Sequence, residues 1–505
     1  MNNWRWFKLL VGCLVWVAAV VAEPFTVVVY NLENFFDADG VAVYDDYQPA
    51  QYTPRHLATK ARNAASILSR FRGGRGPDIV LLQEVEIDQT PSLRTGGGTD
   101  WEAFWRDQPA GTLESIHRGE LLEQDLADLP AEAWLVKALG DAGIRGYQVV
   151  VGSDRPSPPG SERGRAIKCV TLSRFPVVAV REHGVDSARN ILETQLDVQG
   201  VPLWVFNNHW KSGASAPLME EIRVQNASVL RERVDAILRD YPQADIVIGG
   251  DLNSHYNQKP RYQGMVRTGI NTVLGSQGDE RALVSGERDL YNLWFELEPA
   301  ARGSDTYRGE WGTLMHLIIS RGLYDMQGVQ YQDGSFGVAR IDGVNVDAAG
   351  VPRRWDSGGP VGSGHSDHLP LYAHFETVNS PVADAWIPLQ NPSVGITPVE
   401  AVRVDYAGVD LRTTAVDGLS LPVGTDLRDG TWNGRLLKVK GQSLPGRNLQ
   451  VQFAGEVYDI YAPGRDTRDA LEAQRVRGRT FEFYGELGTF RGNWQFVVRD
   501  VSWVQ

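Results

Sequence analysis

Cysteine is almost absent from this sequence: the 505 residues include only Cys13 and Cys169. Cys13 lies in an apolar N-terminal segment that we expect to be removed, which leaves Cys169 as a single thiol. A single thiol excludes an intramolecular disulfide, and the scarcity of cysteine, without a ligand-spaced histidine pair, argues against structural zinc. Stability is therefore expected to come from burial of a core, for which 42% hydrophobic residues are sufficient, or from a bound metal.

No apolar run reaches the length of about 20 residues that a membrane span needs. The stretch Leu9–Val21 comes nearest, and it follows the basic residues Arg5 and Lys8. A basic start, a short apolar middle and small residues at the end predict a secretory signal peptide that is cleaved near Ala22. We therefore expect a secreted protein, periplasmic or extracellular, without a stable membrane anchor.

Positive charge is in deficit, with 50 Lys and Arg against 63 Asp and Glu and a net charge of −13. This balance argues against a protein that attracts nucleic acid by long-range electrostatics. It does not exclude an enzyme that meets phosphate through a bound cation, because the ion then supplies the local positive charge. No P-loop, G-x-S-x-G elbow or G-x-G-x-x-G turn opens a helix, so serine hydrolases and nucleotide-binding folds lack support.

What the sequence does contain, from Phe25 to Phe375, is an alternation of strand-like and helical patterns. Short runs rich in β-branched and aromatic residues, bounded by turn formers, predict strands. The predicted strands are 25–32, 78–85, 146–152, 167–175, 202–210, 244–253, 312–320 and 369–375. Apolar residues at spacings of three and four predict helices over 56–71 and 218–238. The alternation predicts an α/β fold.

Composition divides the chain into a signal peptide at 1–22, a catalytic domain at 23–376, a linker at 377–398 and a β domain at 399–505. The linker is predicted from four prolines among few charged residues. The last part shows period-two patterns that are typical of a small all-β domain. Within the catalytic domain, residues 88–129 form a polar excursion to which the sequence assigns no role.

Polar residues gather where the predicted strands of the catalytic domain begin or end. The clusters are Asn31 and Glu33, Gln83 and Glu84, Asn207 to His209, Asp251 and Asn253, and Asp367 and His368. Loops at strand ends are where a rigid sheet presents catalytic groups. Carboxylate and amide oxygens suit Mg²⁺, Mn²⁺ or Ca²⁺, and histidines beside carboxylates hold or transfer protons near neutral pH. The pattern predicts one convergent site for metal-assisted phosphate chemistry.

The ordered motifs YNLEN, LLQEVE, NNHWKS, GGDLN and SDHLP resemble the endonuclease/exonuclease/phosphatase superfamily. They are most similar to its secreted bacterial nuclease-like branch. The resemblance covers residues 25–375 and implies the deoxyribonuclease I-like fold, a four-layer α/β/β/α sandwich of two packed sheets. It also implies a metal-dependent phosphodiester hydrolase, without specifying the substrate.

The resemblance implies a role for each matching residue. Glu84 is expected to be the main metal ligand, with Asn31 beside it and Glu33 and Asp367 as further ligands. The catalytic residues are expected to be His209, Asp251, Asn253, Asp367 and His368. Asp251 would orient or deprotonate the attacking water, and His368 would stabilise or protonate a phosphate oxygen. His209 would face the scissile phosphate. Residues expected to contact substrate are Asn207, Asn208, Tyr307 and Trp311.

One strand departs from the family pattern. Relatives usually carry an aspartate that hydrogen-bonds the histidine of the SDH motif, and this aspartate falls on Met315. A thioether cannot accept a useful hydrogen bond from imidazole, and the next residue, His316, points to the opposite face of the strand. His316 is therefore interpreted as a packed core histidine. Three explanations stay open: Asp305 or Glu310 replaces the missing carboxylate, the SDH histidine works unaided, or the substrate or activity has changed.

The C-terminal domain resembles the OB-fold modules appended to some secreted nucleases. Such folds bind single strands by combining a basic groove with aromatic stacking. The residues that offer both are Arg475, Arg477, Arg479, Arg491, Tyr484, Phe490 and Trp494. The alternative is a structural barrel whose aromatic residues fill its core.

We therefore expect a secreted phosphodiesterase that needs Mg²⁺, or Mn²⁺ or Ca²⁺, and above all a nuclease of the endonuclease type. Its expected partner is DNA or RNA, and no protein partner is implied. One alternative is a phosphoesterase acting on a phospholipid or small phosphoester, which the acidic composition favours. The alternative from another class is a non-catalytic nucleic-acid-binding protein, which the methionine substitution favours.

Overall fold

The computed structural model describes residues 23–90, 100–108, 111–120, 124–152, 166–382, 384–389, 401–422, 424–428, 432–444, 449–490 and 493–505. The predicted signal peptide, the second half of the predicted linker and Arg491 lie outside these residues. Among the helices that are described, none has both the length and the apolar character needed to cross a bilayer.

Two sheets packed face to face form the centre of the catalytic region. The strands of the first sheet are β1 (Phe25–Phe35), β2 (Ile79–Glu86), β3 (Gln148–Val151), β4 (Ile167–Ser173), β13 (Gln327–Tyr331), β14 (Gly337–Val338) and β15 (Leu371–Asn379). Their order is β13-β15-β1-β2-β4-β3, with β14 beside β15. The strands of the second sheet are β5 (Val177–His183), β6 (Ile191–Val198), β7 (Val201–His209), β8 (Asp245–Asp251), β9 (Leu290–Asn292) and β12 (Met315–Ser320). Their order is β5-β6-β7-β8-β12-β9.

Helices cover the outer faces of both sheets. Those of the catalytic region are α1 (Pro54–Leu68), α2 (Trp101–Arg106), α3 (Thr112–Arg118), α4 (Gln124–Ala127), α5 (Ala131–Asp141), α6 (Pro217–Asp240), α7 (Gln258–Arg261) and α8 (Glu280–Ser285). One apolar cluster joins α1 and α5 to the first sheet, a second lies between the sheets, and a third joins α6 to the second sheet. The predicted four-layer α/β/β/α sandwich is confirmed.

The alternation of strand β1 explains why the layers stack in this way. Val28 and Tyr30 pack into the helical layer, whereas Val27 and Val29 pack between the sheets, so both faces of the strand are buried here. The polar excursion at 88–129 contributes to the same outer layer, where the side chains of Trp101, Trp105, Leu113 and Ile116 are buried.

All eight predicted strands are present, but the strands β5, β6, β9, β13 and β14 of the two sheets were not predicted. β5 lies at the edge of its sheet, where the side chains of Val178 and Val180 are exposed. Burial therefore does not dictate its composition, and the strand ends in the charged residues Arg181 and Glu182.

The C-terminal region forms a small barrel with its own apolar core. Its elements are α9 (Leu411–Thr414), β16 (Val416–Asp417), β17 (Leu436–Leu444), β18 (Gln450–Phe453), β19 (Glu456–Tyr461), α10 (Arg465–Glu472), β20 (Thr480–Phe490) and β21 (Asn493–Val497). The order β17-β18-β19-β21-β20 closes because β20 also pairs with β17. The prediction of an all-β barrel after the sandwich is confirmed. A hairpin of β10 (Asp305–Tyr307) and β11 (Glu310–Gly312) stands apart from both main sheets.

Candidate active site

The carboxyl ends of two parallel strand pairs, β1–β2 and β7–β8, meet at one edge of the sandwich. Asn31, Glu84, His209 and Asp251 come together there, one from each strand. Each strand is buried along most of its length, so its polar side chain stands at the rim of an apolar core. The structure thus joins strand-end clusters that are far apart in the sequence.

The backbone at this edge departs from regular strand geometry at Glu84 and Gly250. The register of β2 with β4 shifts between Leu82 and Val85, and Glu84 within the shift has a φ of 62°. A bulge of this kind re-aims a side chain, and positive φ in residues other than glycine concentrates at functional sites. In the GGDLN motif, Gly250 has a φ of 134°, and a Cβ there would lie 2.0 Å from Asn208 O. Only glycine therefore allows β8 to bring its aspartate to this position.

The side chains at the edge fit a divalent cation. Ligand atoms of Glu84, His209 and Asp251 all lie within 4.8 Å of one another. Asn31 Nδ2 donates to Glu84 Oε1 at 3.0 Å and to Asp251 Oδ2 at 3.2 Å. Burial raises the pKa of Asp251 to about 6; His368 opposes this increase and Glu84 adds to it. Two carboxylates crowded beside an imidazole form an oxygen-rich donor set, which suits Mg²⁺, Mn²⁺ or Ca²⁺.

The two histidines of the site have opposite tendencies. His209 Nε2 lies 3.6 Å from both Glu84 Oε1 and Asp251 Oδ2, and burial lowers the pKa of His209 well below its usual value. His368 Nε2 lies 3.8 Å from Asp251 Oδ2 and 3.7 Å from Asp367 Oδ1. Burial would lower the pKa of His368, but the surrounding carboxylates outweigh it and raise this pKa to about 9. Without a bound cation, burial thus favours the neutral form of His209, and the neighbouring carboxylates favour the protonated form of His368.

Asn253 and Arg189 hold the backbone around this cluster. Asn253 N donates to Asp251 Oδ1 at 2.9 Å, and its Nδ2 donates to Trp210 O at 3.2 Å. Arg189 donates from Nε to His209 O at 3.0 Å and from Nη2 to Trp210 O at 2.5 Å. Arg189 was not among the predicted site residues, because it precedes β6 in a loop that carries no recognisable motif.

Glu33 was predicted to be a metal ligand, but the structure engages its carboxylate elsewhere. Glu33 Oε1 accepts from Arg354 Nε at 3.0 Å and Nη2 at 2.8 Å, and Oε2 accepts from Trp355 N at 2.7 Å. Arg354 Nη2 also lies 3.4 Å from Asp367 Oδ2. Glu33 is thus outside the group of possible ligands that includes Glu84, and it orients Arg354 at the mouth of the site.

Asn207 and Asn208 were predicted to contact substrate, and the structure contradicts this. Both side chains are 0% exposed. Asn207 Oδ1 accepts from Gln83 Nε2 at 2.7 Å, and its Nδ2 donates to Val170 O at 3.0 Å. Asn208 Oδ1 accepts from Trp210 Nε1 at 3.0 Å, and its Nδ2 donates to backbone carbonyls. Both side-chain amides have hydrogen-bond partners inside the protein, so they stabilise β7 and do not face a ligand.

Met315 is fully buried in the core between the sheets. Asp305 forms an isolated antiparallel bridge with His368, and its Oδ2 accepts from Leu314 N at 3.0 Å. Its charge is among those that raise the pKa of His368. Glu310, the other carboxylate considered from the sequence, pairs with two arginines instead. Of these two candidates Asp305 is the one near His368, but His368 Nδ1 has no hydrogen-bond partner among the described residues, so Asp305 does not replace the missing hydrogen bond.

The predicted aromatic contacts differ in accessibility. Tyr307 is 68% exposed on the β10–β11 hairpin, with the Arg308 guanidinium 5.1 Å from its ring centroid. Trp311 is half-buried, and Arg340 lies 4.9 Å from its ring centroid. Tyr307 is thus available to a ligand, whereas Trp311 anchors the hairpin.

The barrel residues predicted to bind a single strand also differ in how exposed they are. Phe490 is 59% exposed, but Tyr484 and Trp494 pack partly against the barrel core. Arg475 pairs with Glu472 at 3.1 Å. The exposed aromatic surface of the barrel is therefore smaller than the sequence suggested.

His316 is a satisfied core histidine, as interpreted from the sequence. Its side chain is 0% exposed, its Nε2 lies 2.8 Å from Ser254 O, and its Nδ1 lies 3.1 Å from Asn292 Nδ2. Both contacts are satisfied when Nε2 carries the proton and Nδ1 accepts from the amide. The neutral ring therefore fits its surroundings, and burial lowers the pKa of His316 to about 4.

This geometry predicts a stability loss in acid. Because the pKa of His316 is lower in the folded protein than the value of about 6.5 in the unfolded chain, the unfolded chain binds the proton first as pH falls. The contribution of the neutral His316 ring to the free energy of unfolding is complete above pH 6.5. It decreases towards pH 4, by about 3 kcal/mol in total. Urea unfolding of wild type and His316→Gln at several pH values measures this difference. A difference in unfolding free energy between the two proteins that stays constant from pH 7 to pH 4 would contradict it.

Comparison with known proteins agrees with the geometry. Residues 170–377 match a family model described as the Endonuclease/Exonuclease/phosphatase family. This region includes His209, Asp251, Asp367 and His368 but not Glu84. The match agrees, over these residues, with the resemblance drawn from the motifs. No curated protein sequence matches the chain.

Comparison with solved structures also found similar chains. A truncated TDP2 of Caenorhabditis elegans is 14% identical, with 70% of this chain and 98% of that chain covered and a TM-score of 0.37. An endonuclease/exonuclease/phosphatase of Beutenbergia cavernae is 16% identical, with 71% and 73% covered and a TM-score of 0.40. TDP2 of D. rerio, in complex with a single-strand DNA product, is 12% identical, with 70% and 100% covered and a TM-score of 0.37. At these TM-scores the likeness carries no argument about function.

Proposed function

We propose that this chain, whose residues 170–377 match the Endonuclease/Exonuclease/phosphatase family, is an exported nuclease that hydrolyses nucleic-acid phosphodiester bonds with the help of a divalent cation. The observation that carries the proposal is the convergence of Glu84, His209 and Asp251, with ligand atoms within 4.8 Å of one another, beside His368. The basic and apolar pattern of the first 22 residues supports export.

Glu84 and Asp251 would hold the cation, with Asn31 fixing both carboxylates. A divalent cation bound there would supply Lewis-acid stabilisation of charge on the phosphate. Asp251, fixed by the amide of Asn253, would orient the attacking water and take its proton at a carboxylate oxygen. His368 would donate from Nε2 to a phosphate oxygen.

Supercoiled plasmid offers the first test. The mature protein is incubated with it in Mg²⁺, Mn²⁺, Ca²⁺ or EDTA, beside Asp251→Ala and the matched control Asp240→Ala at an exposed position on α6. We expect nicking that requires a cation, disappears in Asp251→Ala and persists in Asp240→Ala. No nicking of DNA and no cleavage of RNA by folded protein with any of the ions would refute a nuclease.

A further inference from the structure

A cleft lies between the catalytic region and the barrel. It measures about 910 Å³ and is called the junction cleft here. One end includes Arg354 and Asp367, which also border the active site. A ligand in the junction cleft therefore lies beside the reacting phosphate.

One wall of the junction cleft is the β10–β11 hairpin with residues 402–404, the segment that leads into the barrel. Trp311 N donates to Val402 O at 2.8 Å, and Val404 N donates to Gly309 O at 2.9 Å. The segment thus forms a third strand on the hairpin. The hairpin in turn is tied to the active site by the bridge between Asp305 and His368.

The opposite wall is the barrel, which is fastened to the loop before β15. Thr489 Oγ1 donates to Asp356 Oδ2, and Asn433 Nδ2 donates to Ser363 Oγ. Arg353 Nη2 donates to Asn433 O. These contacts hold the barrel against the loop that carries Arg354. Both walls are therefore fixed relative to the active site.

Two arginines on the hairpin wall have weak or no carboxylate contacts. Arg308 is exposed and stacks on Tyr307, with no ion pair to a described residue within 4.0 Å. Arg403 has a 75% exposed side chain, and its nearest carboxylate oxygen, from Glu310, lies 3.9 Å away. Exposed guanidinium groups that line a cleft can contact the backbone phosphates of a single-stranded nucleic acid.

The carboxylates of the junction cleft are mostly occupied. Glu486 pairs with Arg499 at 2.7 Å, and Asp347 accepts from backbone amides while burial raises its pKa to about 7. Asp405 and Asp500 accept from the backbone amides of their own turns. Among the cleft-lining residues of the hairpin wall and its neighbour Asp405, two arginines stand against one carboxylate, so the net negative charge of the chain is not concentrated there.

We propose that the junction cleft holds the single nucleic-acid strand that flanks the scissile phosphate, with Arg308 and Arg403 on its backbone phosphates. This inference rests on the proposed nuclease function and assigns the strand path. It gives the barrel the role of a cleft wall, independent of the arginines at 475–479.

The test compares two substrates in wild type, Arg308→Gln/Arg403→Gln and the control Arg281→Gln, an exposed arginine on α8 outside the cleft. One substrate is a single-stranded DNA or RNA longer than the roughly 4–16 nucleotides that an OB-type barrel covers. The other is bis(p-nitrophenyl) phosphate, a diester too short to reach the hairpin wall. In the double variant we expect KM for the strand to rise about tenfold more than KM for the small diester. The salt dependence of kcat/KM for the strand should also become shallower, because a protein that contacts fewer phosphates releases fewer counterions when it binds.

Equal changes for both substrates, or an unchanged KM and salt dependence for the strand, would overturn the strand path and leave the nuclease intact. Failure of wild type to cleave any nucleic acid, while it still hydrolyses the small diester, would overturn the nuclease and the strand path together.

Discussion

Substitution Glu84→Gln is expected to lower kcat for phosphodiester hydrolysis by about 10³-fold, with the protein still folded. Glu84 shares the amide of Asn31 with Asp251, and its Oε1 lies 3.6 Å from His209 Nε2. Glutamine keeps the size of the side chain but removes the charge that a divalent cation needs. The loss should therefore appear both in kcat and in the affinity for Mg²⁺ or Mn²⁺.

The measurement is kcat at a series of cation concentrations, with unfolding by urea as the check on the fold. Glu221→Gln is the matched control, because Glu221 lies exposed on α6. A variant that retains wild-type kcat at low Mg²⁺ would show that the cation is held elsewhere. Rescue at high cation concentration would instead support a weakened ligand set.

Substitution Asn207→Ala is expected to lower the free energy of unfolding by about 3 kcal/mol. The Asn207 amide accepts from Gln83 and donates to Val170 O, so it joins the second sheet to the first in the buried layer between them. Alanine leaves these groups without their partner and without water. A buried polar group that loses its hydrogen bond costs about 1–3 kcal/mol.

Urea denaturation measures this loss, and Asn379→Ala, at the exposed end of β15, is the control. KM of the remaining folded enzyme should stay close to the wild-type value, since the Asn207 side chain has no exposed surface. A large increase in KM with unchanged stability would restore the original interpretation of Asn207 as a substrate contact.

The NNH motif illustrates why site residues could be only partly assigned from the sequence. Asn207, Asn208 and His209 are consecutive and equally polar, so the pattern marks all three. In the structure only His209 approaches the acidic cluster, while both asparagines are used inside the protein. Which atoms face a side chain depends on the other sheet, which is formed by distant segments.

The same reason applies to the residues that the sequence did not identify. Arg189 reaches the site only because β6 lies next to β7, and its loop carries no motif. Asp305 was one of two candidates to replace the carboxylate missing at Met315, and the bridge with His368 distinguishes it from Glu310. Glu33 belongs to a family motif, yet Arg354, more than 300 positions away, occupies its carboxylate.

The residue patterns predicted an α/β fold, a C-terminal β domain and the strand ends at which the chemistry gathers, and the family resemblance of the motifs implied the sandwich. The patterns could do so because buried strands must be apolar along their length, and because polar residues at their ends therefore stand out. The tertiary structure was needed to show which of those polar residues face each other, which are buried and hydrogen-bonded in the core, and where a cleft lies beside them. Those outcomes depend on contacts between segments far apart in the chain, and local composition does not encode distance in space.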